Sequence, residues 1–591
     1  TIEVPNFLRC NMRDLIEACA PLIYDSVTEL GISEEDISNL IGPSTVGPMA
    51  DVAIPCHSLS RILKKSPVDV SEQISIAIAP QLQGLALTSS MNGFVNLKAH
   101  PEWLANKTMG LLADKMIGVK KDESRKIVVD YSAPNVAKEM HVGHLRSTVI
   151  GDAIVRMLLF KGHEVIRENH IGDWGTPFGM LIEHLIDLGE DSFSSRKGIS
   201  DFDQFYKEAR VKFDQNDMFA ERARSRVVLL QGEDSDTLRL WKVLVDVSTG
   251  YFNEVYEMLE VLLDDGDIMG ESAYRHLLPT VVERLRESGM LEESEGASVV
   301  YLGGKWVNRE GDPFPVIIRK GDGGFNYSTS DLACIIDRVE RISCDELIYV
   351  VGTPQKQHFE MVFEVASRAG FMDERHTAKH INFGSVLDSK GQMLKSRAGQ
   401  SVKLVDLLKE SIKRADNAIS EKNPGLTGKD KDRISKMIGI GAVKYADLST
   451  DRTKDYVFDW DKMLSFEGNT APYLQYSHAR ISRIFSLSPV SRKSLVNSSI
   501  EIFTEEEETL ARCIVNFAES FDKSISSMHP HKLCTHIHAT SSAFATFYEA
   551  CPILKAENEE IMTSRLALCD LTARVISTGL ELLGIQSPEM M

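Results

Sequence analysis

The sequence predicts a multidomain α/β protein with a doubly wound central domain, a small N-terminal α/β domain and a C-terminal all-α helical bundle. Three patterns support this fold class. A strand, a loop, a helix and a second strand follow one another over residues 127–171. Acidic helical segments then form an insertion over about 186–300, and the apolar spacing is almost wholly helical from Leu404 onwards. We expect domains over residues 1–118, 119–405 and 406–591.

Composition limits the class of protein. The 591 residues exceed what one hydrophobic core usually holds, and contents of 43% hydrophobic and 26% charged residues are those of a globular protein. No apolar run approaches the roughly 18 residues that a membrane-spanning helix needs, so we expect no membrane partner. The net charge of −20 excludes a uniformly basic nucleic-acid binder but allows a local basic surface.

The cysteines indicate the compartment. All nine lie outside any Cys-x-x-Cys pair, which favours reduced thiols over disulfides or a zinc ribbon. We therefore expect a cytoplasmic protein. Because the chain begins with Thr1 rather than Met, an organelle after removal of a leader is the alternative.

The N-terminal domain mixes helices and strands. The apolar spacing predicts helices at 12–24 and 33–40 and a strand at 51–54, and it fits either type at 71–85. A turn and a short strand follow at 91–97. Phe94 and Asn96 on that strand could stack on and hydrogen-bond an unpaired base, although a hairpin with a core phenylalanine is the simpler interpretation.

The central stretch predicts an anion site. A strand at 127–131 leads through a loop to a helix that Gly162 can end in a left-handed conformation. His141 and His144 lie where the loop becomes the helix, beside unpaired backbone N–H groups, and Gly143 allows close approach. We expect the imidazoles to hold nucleotide phosphates and to be tuned toward a positive charge. The alternative is two ordinary surface histidines.

Two later segments suggest a pocket for a cationic ligand. The glycine-rich loop 172–179 follows the second strand, where Asp173 and Trp174 either hold a substrate or shape a turn. Tyr327 and Asp331 lie four residues apart near a helix start, and a carboxylate beside a phenol suits a guanidinium. In the alternative, Asp331 only caps a helix predicted at 332–339.

The strand–loop–helix pattern then repeats. A strand at 346–351 leads to Gln355 and His358 near a helix start. We predict a further strand at 381–386. The following loop, 388–403, is rich in lysine, arginine and glycine and could close over a triphosphate, or be only a basic surface loop.

The C-terminal bundle carries an aromatic and basic stripe. Tyr473, Tyr476 and Arg480 recur at helical spacing, which suits stacking on bases but also a packed aromatic core face. The histidine-rich stretch 529–538 lacks a second ligand pair, so we interpret it as the start of a helix and expect no protein-bound metal.

Taken together, these segments resemble the arginyl-tRNA synthetases over nearly the whole chain. The order of the motifs carries the resemblance: Ser132-Ala-Pro-Asn135, Lys138, His141-Val-Gly-His144, Gly172-Asp-Trp-Gly175, Tyr327 with Asp331, Gln355 with His358, Lys395-Ser-Arg-Ala-Gly399 and Tyr473-Leu-Gln-Tyr-Ser-His-Ala-Arg480.

The resemblance implies a function and partners for each domain. Residues 119–405 would be a class I Rossmann-type catalytic domain that activates L-arginine with ATP and Mg²⁺ and transfers it to tRNA(Arg). Residues 1–118 would bind the D-loop of the tRNA, and residues 406–591 would bind its anticodon side. We expect a monomer, and the resemblance implies that arginine activation needs bound tRNA.

The resemblance also assigns residues. For catalysis it implies His141, His144, Lys138, Lys395, Ser396 and Arg397, and for ATP it adds Gly143, Met393 and Leu394. For arginine it implies Asp130, Ser132, Asn135, Tyr327, Asp331 and Gln355. For tRNA it implies Phe94, Asn96, Tyr473, Tyr476, Arg480 and Met591.

The sequence departs from the family pattern at two places. Ala133 stands where the family often has serine, and the usual Lys-Met-Ser-Lys-Ser loop is replaced by Met393-Leu-Lys-Ser-Arg397. We hypothesise that Lys138 supplies the missing positive charge. The rival interpretations are another class I synthetase, a small-molecule adenylyltransferase, or an RNA-binding protein with an inactive synthetase fold.

Overall fold

A computed structural model of the chain describes residues 12–44, 50–136, 138–190, 199–304, 306–307, 311–321, 323–394 and 402–591. The chain divides into two compact units. One comprises residues 1–121, 416–445 and 462–591, and the other comprises 122–415 and 446–461. The domain boundaries expected from the sequence stay a prediction beside this division.

The N-terminal part of the first unit is an α/β layer. Its helices are α1 Arg13–Thr28, α2 Glu34–Ser38, α3 Leu59–Leu63, α4 Pro67–Ile78 and α5 Pro101–Gly110, and its strands are β1 Gly42–Pro43, β2 Val52–Pro55, β3 Ala86–Met91 and β4 Phe94–Ala99. The strands pair antiparallel in the order β1-β2-β4-β3. The ambiguous 71–85 segment is mainly helical, because Ser66 caps α4 and Pro67 suits its first turn.

The second unit contains the parallel sheet that the sequence predicts. Its elements are β5 Lys126–Asp130, α6 Val142–Lys161, β6 Glu164–Glu168, α7 Thr176–Leu188, α8 Ile199–Gln215, α9 Asp217–Gln231, α10 Ser235–Leu259, α11 Leu278–Glu287, β7 Leu291–Ser294, β8 Ala297–Tyr301, β9 Pro315–Arg319, α12 Tyr327–Glu340, β10 Glu346–Tyr349, α13 Lys356–Arg368, β11 Thr377–His380 and β12 Val386–Leu387. The order β11-β10-β5-β6 with every pair parallel confirms the doubly wound fold class.

A hydrophobic core fixes this sheet against its helices. Val128 and Leu347 on neighbouring strands pack with Ile335 on α12 and Val362 on α13. Gly162 ends α6 with a φ of 102°, as predicted, because a left-handed residue is needed there.

The insertion is mainly helical, as predicted, and helices α8 to α11 lie within it. The strands that directly follow α11 lie outside the parallel sheet. Strands β7, β8 and β9 form a separate antiparallel sheet.

Two predictions of secondary structure are wrong. The strand predicted at 381–386 lies earlier, at β11 Thr377–His380. This edge strand is rich in polar residues and lacks the apolar run from which a strand is predicted. The helix predicted to start at 332 begins at Tyr327, with Asn326 as its N-cap residue. Asp331 therefore lies inside the helix and does not cap it.

The remaining chain is helical, as predicted. The elements are α14 Leu404–Lys422, α15 Gly428–Leu448, β13 Tyr456–Val457, α16 Trp460–Met463, α17 Ala471–Leu487, α18 Glu505–Val515, α19 Phe517–Ser526, α20 His531–Ala550 and α21 Glu559–Leu582. Within the described ranges, no helix is both long and apolar enough to cross a membrane.

Candidate active site

Three strand ends meet at one edge of the parallel sheet. The register pairs Tyr349 with Asp130 and Asp130 with Glu168, so β10, β5 and β6 end side by side. The loops that leave these ends carry the predicted histidines, the 172–175 loop and Gln355. Ligands of doubly wound folds bind at such an edge.

His141 and His144 cap the start of α6 reciprocally. Nδ1 of His141 accepts from the Gly143 N–H at 3.0 Å, and Nδ1 of His144 accepts from the His141 N–H at 3.1 Å. The ring centroids are 4.1 Å apart. Because both Nδ1 atoms accept, a neutral imidazole in each case carries its hydrogen on Nε2. The pair therefore offers two N–H donors for phosphate oxygens at a helix N-terminus.

The charge state of this pair differs from the sequence prediction. Desolvation, followed by the positive charge of Lys138, lowers the pKa of His141. Desolvation and the neighbouring His141 lower the pKa of His144 to about 3. The expectation of tuning toward a positive charge is thus wrong for the ligand-free protein, because burial disfavours the imidazolium form.

Lys138 lies close enough to both imidazoles to affect their titration. Its positive charge lowers the pKa of His141 and of His144, and its Nζ lies 5.3 Å from the centre of the Tyr206 ring. The side chain is exposed beside the helix start. Lys138 therefore lies within electrostatic range of both histidines, and its contact with ATP phosphates stays a prediction.

The loop after β5 has an unusual backbone. Ser132 and Ala133 both have positive φ, 73° and 48°. The Ser132 hydroxyl lies 2.8 Å from the Tyr256 hydroxyl, and the Ala133 N–H donates to Asn169 Oδ1 at 3.1 Å. These contacts hold a conformation that costs about 1–3 kcal/mol per residue in a free chain. Direct contact of Ser132 with arginine stays a prediction.

Asn135 follows that turn and is exposed. It forms a β-bridge with Gly172, where a Cβ atom would lie 2.6 Å from Asn135 Oδ1. A side chain at position 172 would therefore force the Asn135 amide to move away from this loop.

Asp130 has a partner within the chain. Its Oδ2 accepts from the guanidinium of Arg338 at 2.7 Å, and Arg338 also donates to Glu168 at 2.6 Å. The Arg338 side chain is fully buried. Contact of Asp130 with the substrate stays a prediction.

Tyr327 and Asp331 share a helix face, as predicted. Tyr327 is 69% exposed at the first residue of α12. Asp331 Oδ2 lies 2.5 Å from Nε2 of His358, which the sequence placed near the start of the next helix. Gln355 is exposed and precedes α13 directly.

A further carboxyl group, Glu271, was missed by the sequence interpretation. Its pKa is raised to about 7, and burial is the main cause. The carboxylates of Asp173 and Asp331 contribute to the rise, whereas His170 and the Trp174 backbone oppose it. Asp173 itself accepts from the N–H and hydroxyl of Ser272. Glu271 lies in a 3-10 turn after the insertion helices, and no sequence motif marks it.

Of the lysine- and arginine-rich loop 388–403, the structure describes residues 388–394 and 402–403. Met393 pairs with Leu387, and the Leu394 N–H donates to Val386. Lys395, Ser396 and Arg397 lie outside the described residues. The returning chain at Lys403 forms a bridge with His141.

The predicted RNA contacts of the N-terminal part differ in exposure. Phe94, at the tip of the β3–β4 hairpin, is 36% exposed and its ring lies edge-on to His57 with centroids 5.5 Å apart. Asn96 is buried at 5% exposure in the middle of the sheet. A base contact by Asn96 stays a prediction.

The predicted aromatic and basic stripe lines a cavity in the first unit. The cavity measures about 990 Å³, and its lining includes Tyr476, Arg480 and Met591. The Arg480 guanidinium lies 4.8 Å from the Tyr476 ring centre and 5.0 Å from that of Tyr548, a lining residue that the sequence interpretation missed. Tyr473 instead packs against His538.

The residues that the structure describes include no cluster of three or more His, Cys, Asp or Glu side chains able to hold a metal ion. The eight described cysteines are free and buried.

Two family models match the chain. Residues 107–460 match the catalytic domain of the class I tRNA synthetases (R), and residues 474–591 match the DALR anticodon binding domain.

Individual relatives agree with these matches. The chain is 45% identical to an arginine–tRNA ligase of Thermobifida fusca over 95% of this chain and 96% of the relative. It is 44% identical to an arginine–tRNA ligase of Pseudoalteromonas atlantica over 90% and 92%. The arginyl-tRNA synthetase structure from Plasmodium falciparum has a TM-score of 0.79 and 27% identity, covering 99% of this chain and 100% of that one.

Proposed function

The chain belongs to the arginyl-tRNA synthetases of class I, and from this premise we propose how its residues carry out the reaction. The reaction activates L-arginine with ATP to arginyl-adenylate and diphosphate, and it then transfers the arginyl group to tRNA(Arg) with release of AMP. This activity serves protein synthesis.

The reciprocal capping of α6 by His141 and His144 is the main support for ATP binding at this place. It leaves two Nε2–H donors beside the helix N-terminus, and the absence of a side chain at Gly143 makes room for the capping ring of His141. Neutral imidazoles can already donate hydrogen bonds from Nε2, and the negative charge of bound phosphates would in turn favour protonation of the imidazoles. Met393 and Leu394 would complete the ATP site.

The first chemical step is an in-line displacement. A carboxylate oxygen of arginine attacks the α-phosphorus, and the bond from that phosphorus to the bridging oxygen of the β-phosphate breaks, so that diphosphate leaves. The protein mainly positions the reactants and stabilises the phosphate charge. In the second step a terminal ribose hydroxyl of the tRNA takes the arginyl group and AMP leaves.

Lys138 would stabilise the leaving diphosphate. Its effect on the titration of both histidines supports this role, because it shows that the ammonium lies within electrostatic range of them. Lys395, Ser396 and Arg397 would contribute from the basic loop.

Acidic side chains would bind the guanidinium group of the substrate arginine. Asp331 and Glu271 interact electrostatically and are both partly buried, so a cationic ligand would relieve their mutual repulsion. Tyr327 would cover the ligand, while Asn135 and Gln355, both exposed at the strand-end edge, would hold its amino and carboxylate groups. Lysine fits such a site poorly, since an ammonium lacks the planar fork of a guanidinium.

The first unit would bind the tRNA at two places. Phe94 is exposed at a hairpin tip and is suited to stack on a D-loop base, with Asn96 behind it. Tyr476 and Arg480 would contact anticodon bases in the cavity that Met591 also lines, with Tyr473 supporting them.

ATP would enter as its magnesium complex, with the ion belonging to the substrate. We propose a monomer, which the mass from light scattering would test. The free, buried thiols support a reducing compartment such as the cytoplasm, with an organelle as the alternative.

The histidine pair can be tested without disturbing the helix cap. Asparagine places an acceptor where histidine has Nδ1 but lacks an Nε2–H group. His141→Asn and His144→Asn should therefore keep the melting temperature and lower kcat/KM for ATP about 100-fold in arginine-dependent ATP–diphosphate exchange with tRNA present. An unchanged kcat/KM for ATP in both variants would contradict the assigned role.

A second experiment separates the rival functions. Each of the twenty amino acids is tested for attachment to total tRNA. We expect arginine alone to be charged. Charging of another amino acid would point to a different synthetase, and no charging at all would point to an RNA-binding protein.

A further inference from the structure

His358 hydrogen-bonds the carboxylate that we assign to the substrate guanidinium. Its imidazole lies in the first turn of α13, and Nε2 is 2.5 Å from Oδ2 of Asp331 on α12. An ionised carboxylate can only accept a hydrogen bond, so Nε2 must carry the hydrogen. The contact joins the helix before β10 to the helix after it.

The orientation of the Asp331 carboxylate matters because a guanidinium is a planar fork. Two parallel N–H···O bonds form only when the two planar groups face each other in one plane. The Asp331 side chain is 17% exposed, so without a partner it could turn toward water. A contact that fixes one oxygen fixes the plane of both.

A neutral imidazole at position 358 orients the Asp331 carboxylate without cancelling its charge. A lysine or arginine at this position would neutralise the negative charge that attracts the substrate guanidinium. Imidazole can donate from Nε2 in its neutral tautomer. His358 occupies one acceptor position on Oδ2, which leaves Oδ1 and the other position on Oδ2 for two guanidinium N–H groups.

We propose that His358 is a positioning residue for arginine recognition. It holds the Asp331 carboxylate in the plane that accepts the guanidinium, and it thereby lowers the arginine KM without contacting ATP. The inference rests on the proposed function, since it requires Asp331 to bind the substrate.

The test compares two substitutions of His358. His358→Met keeps the bulk of the side chain but has no donor, and His358→Gln can place an amide N–H near the position of Nε2. In ATP–diphosphate exchange with tRNA(Arg) present, His358→Met should raise the arginine KM about tenfold, the equivalent of one charge-assisted hydrogen bond. His358→Gln should restore most of the loss, and the ATP KM should stay unchanged in both variants.

His376→Met is the matched control. His376 also contacts an aspartate, with Nδ1 2.8 Å from Oδ1 of Asp373, but neither residue belongs to the proposed pocket. This variant should leave the arginine KM at the wild-type value. If His358→Met lowers the melting temperature more than the control does, His358→Ser is compared with His358→Gln in the same assay.

Asp331→Asn separates failure of this inference from failure of the proposed function. If His358 acts through Asp331, then adding His358→Met to Asp331→Asn should change the arginine KM little further. An arginine KM that rises in Asp331→Asn but stays normal in His358→Met overturns the role of His358 alone. Failure of His358→Gln to restore the KM also overturns it. An arginine KM that is normal in Asp331→Asn overturns the pocket itself.

Discussion

Arg338 donates to Asp130 Oδ2 at 2.7 Å, at the strand end where the candidate active site begins. The same guanidinium binds Glu168 on the neighbouring strand and lies 4.9 Å from the centre of the Tyr349 ring. One buried cation from α12 thus ties together the ends of three adjacent strands. The loops that leave these ends depend on that anchor.

Replacing Arg338 should destabilise the fold strongly. Arg338→Met leaves Asp130 and Glu168 buried without their cation, a loss of about 3–5 kcal/mol. Urea unfolding followed by circular dichroism measures the change. Arg341→Met on the same helix is the control, because Arg341 is largely exposed and should cost less than about 1 kcal/mol. Equal midpoints for the two variants would contradict the anchoring role.

Removing the Lys138 charge should slow arginine activation. Lys138→Ala is expected to lower the rate of arginine-dependent ATP–diphosphate exchange about 100-fold with tRNA present, because the diphosphate loses a stabilising cation. Lys242→Ala serves as the control, since Lys242 pairs with Asp246 along the exposed side of α10. A rate close to wild type in Lys138→Ala would reject the hypothesis.

Arginine affinity should depend on pH through Glu271. Burial raises its pKa to about 7, with His170, Asp173 and Asp331 as its charged neighbours. Below pH 7 the free carboxyl binds a proton that must leave before it can pair with a guanidinium. Arginine affinity should therefore fall as the pH falls below 7, by up to about tenfold per pH unit.

Calorimetric titration of arginine into the complex with tRNA(Arg) measures this dependence. Glu271→Gln should bind arginine more weakly at pH 8 and lose the pH dependence between 6 and 8. Glu340→Gln, at a surface ion pair with Arg284, should keep it. A wild-type pH profile in Glu271→Gln would exclude this carboxyl from the site.

Arg480 should affect tRNA and not arginine. Its guanidinium lies 4.8 Å from the Tyr476 ring centre and 5.0 Å from that of Tyr548. Arg480→Met should therefore remove a stacking and electrostatic contact and raise the tRNA KM about tenfold. The dependence of that KM on salt should also weaken. Charging at saturating tRNA should be normal. Arg433→Met, at an exposed pair with Asp430, is the control, and equal tRNA KM values for both would contradict the assignment.

Short-range sequence patterns predicted the histidine pair at the start of α6 and the shared helix face of Tyr327 and Asp331. The strand, loop and helix around His141 and His144 follow from apolar spacing and helix-start chemistry, and the four-residue spacing of Tyr327 and Asp331 fixes their shared face. The protonation state of the two histidines could not be predicted from local sequence, since the low pKa of His144 depends on burial by the folded chain.

Long-range contacts account for what the sequence did not predict. Asp130 and Arg338 are 208 positions apart, and no periodicity links them. Glu271 joins the acidic pocket only because the chain returns to it after the insertion helices. Phe94 and Asn96 lie two residues apart on β4, but Phe94 is exposed at the hairpin end and Asn96 is buried by the folded sheet, a difference that their spacing does not predict.

The guanidinium pocket is tested most directly by the arginine KM of Asp331→Asn in ATP–diphosphate exchange with tRNA(Arg) present. Asp337→Asn is its control, because Asp337 lies on the same helix but pairs with Arg341. We expect a rise in the arginine KM of about 10- to 100-fold for Asp331→Asn, the cost of a charge-assisted bidentate contact, with an unchanged ATP KM. An arginine KM equal to that of Asp337→Asn would contradict the guanidinium pocket.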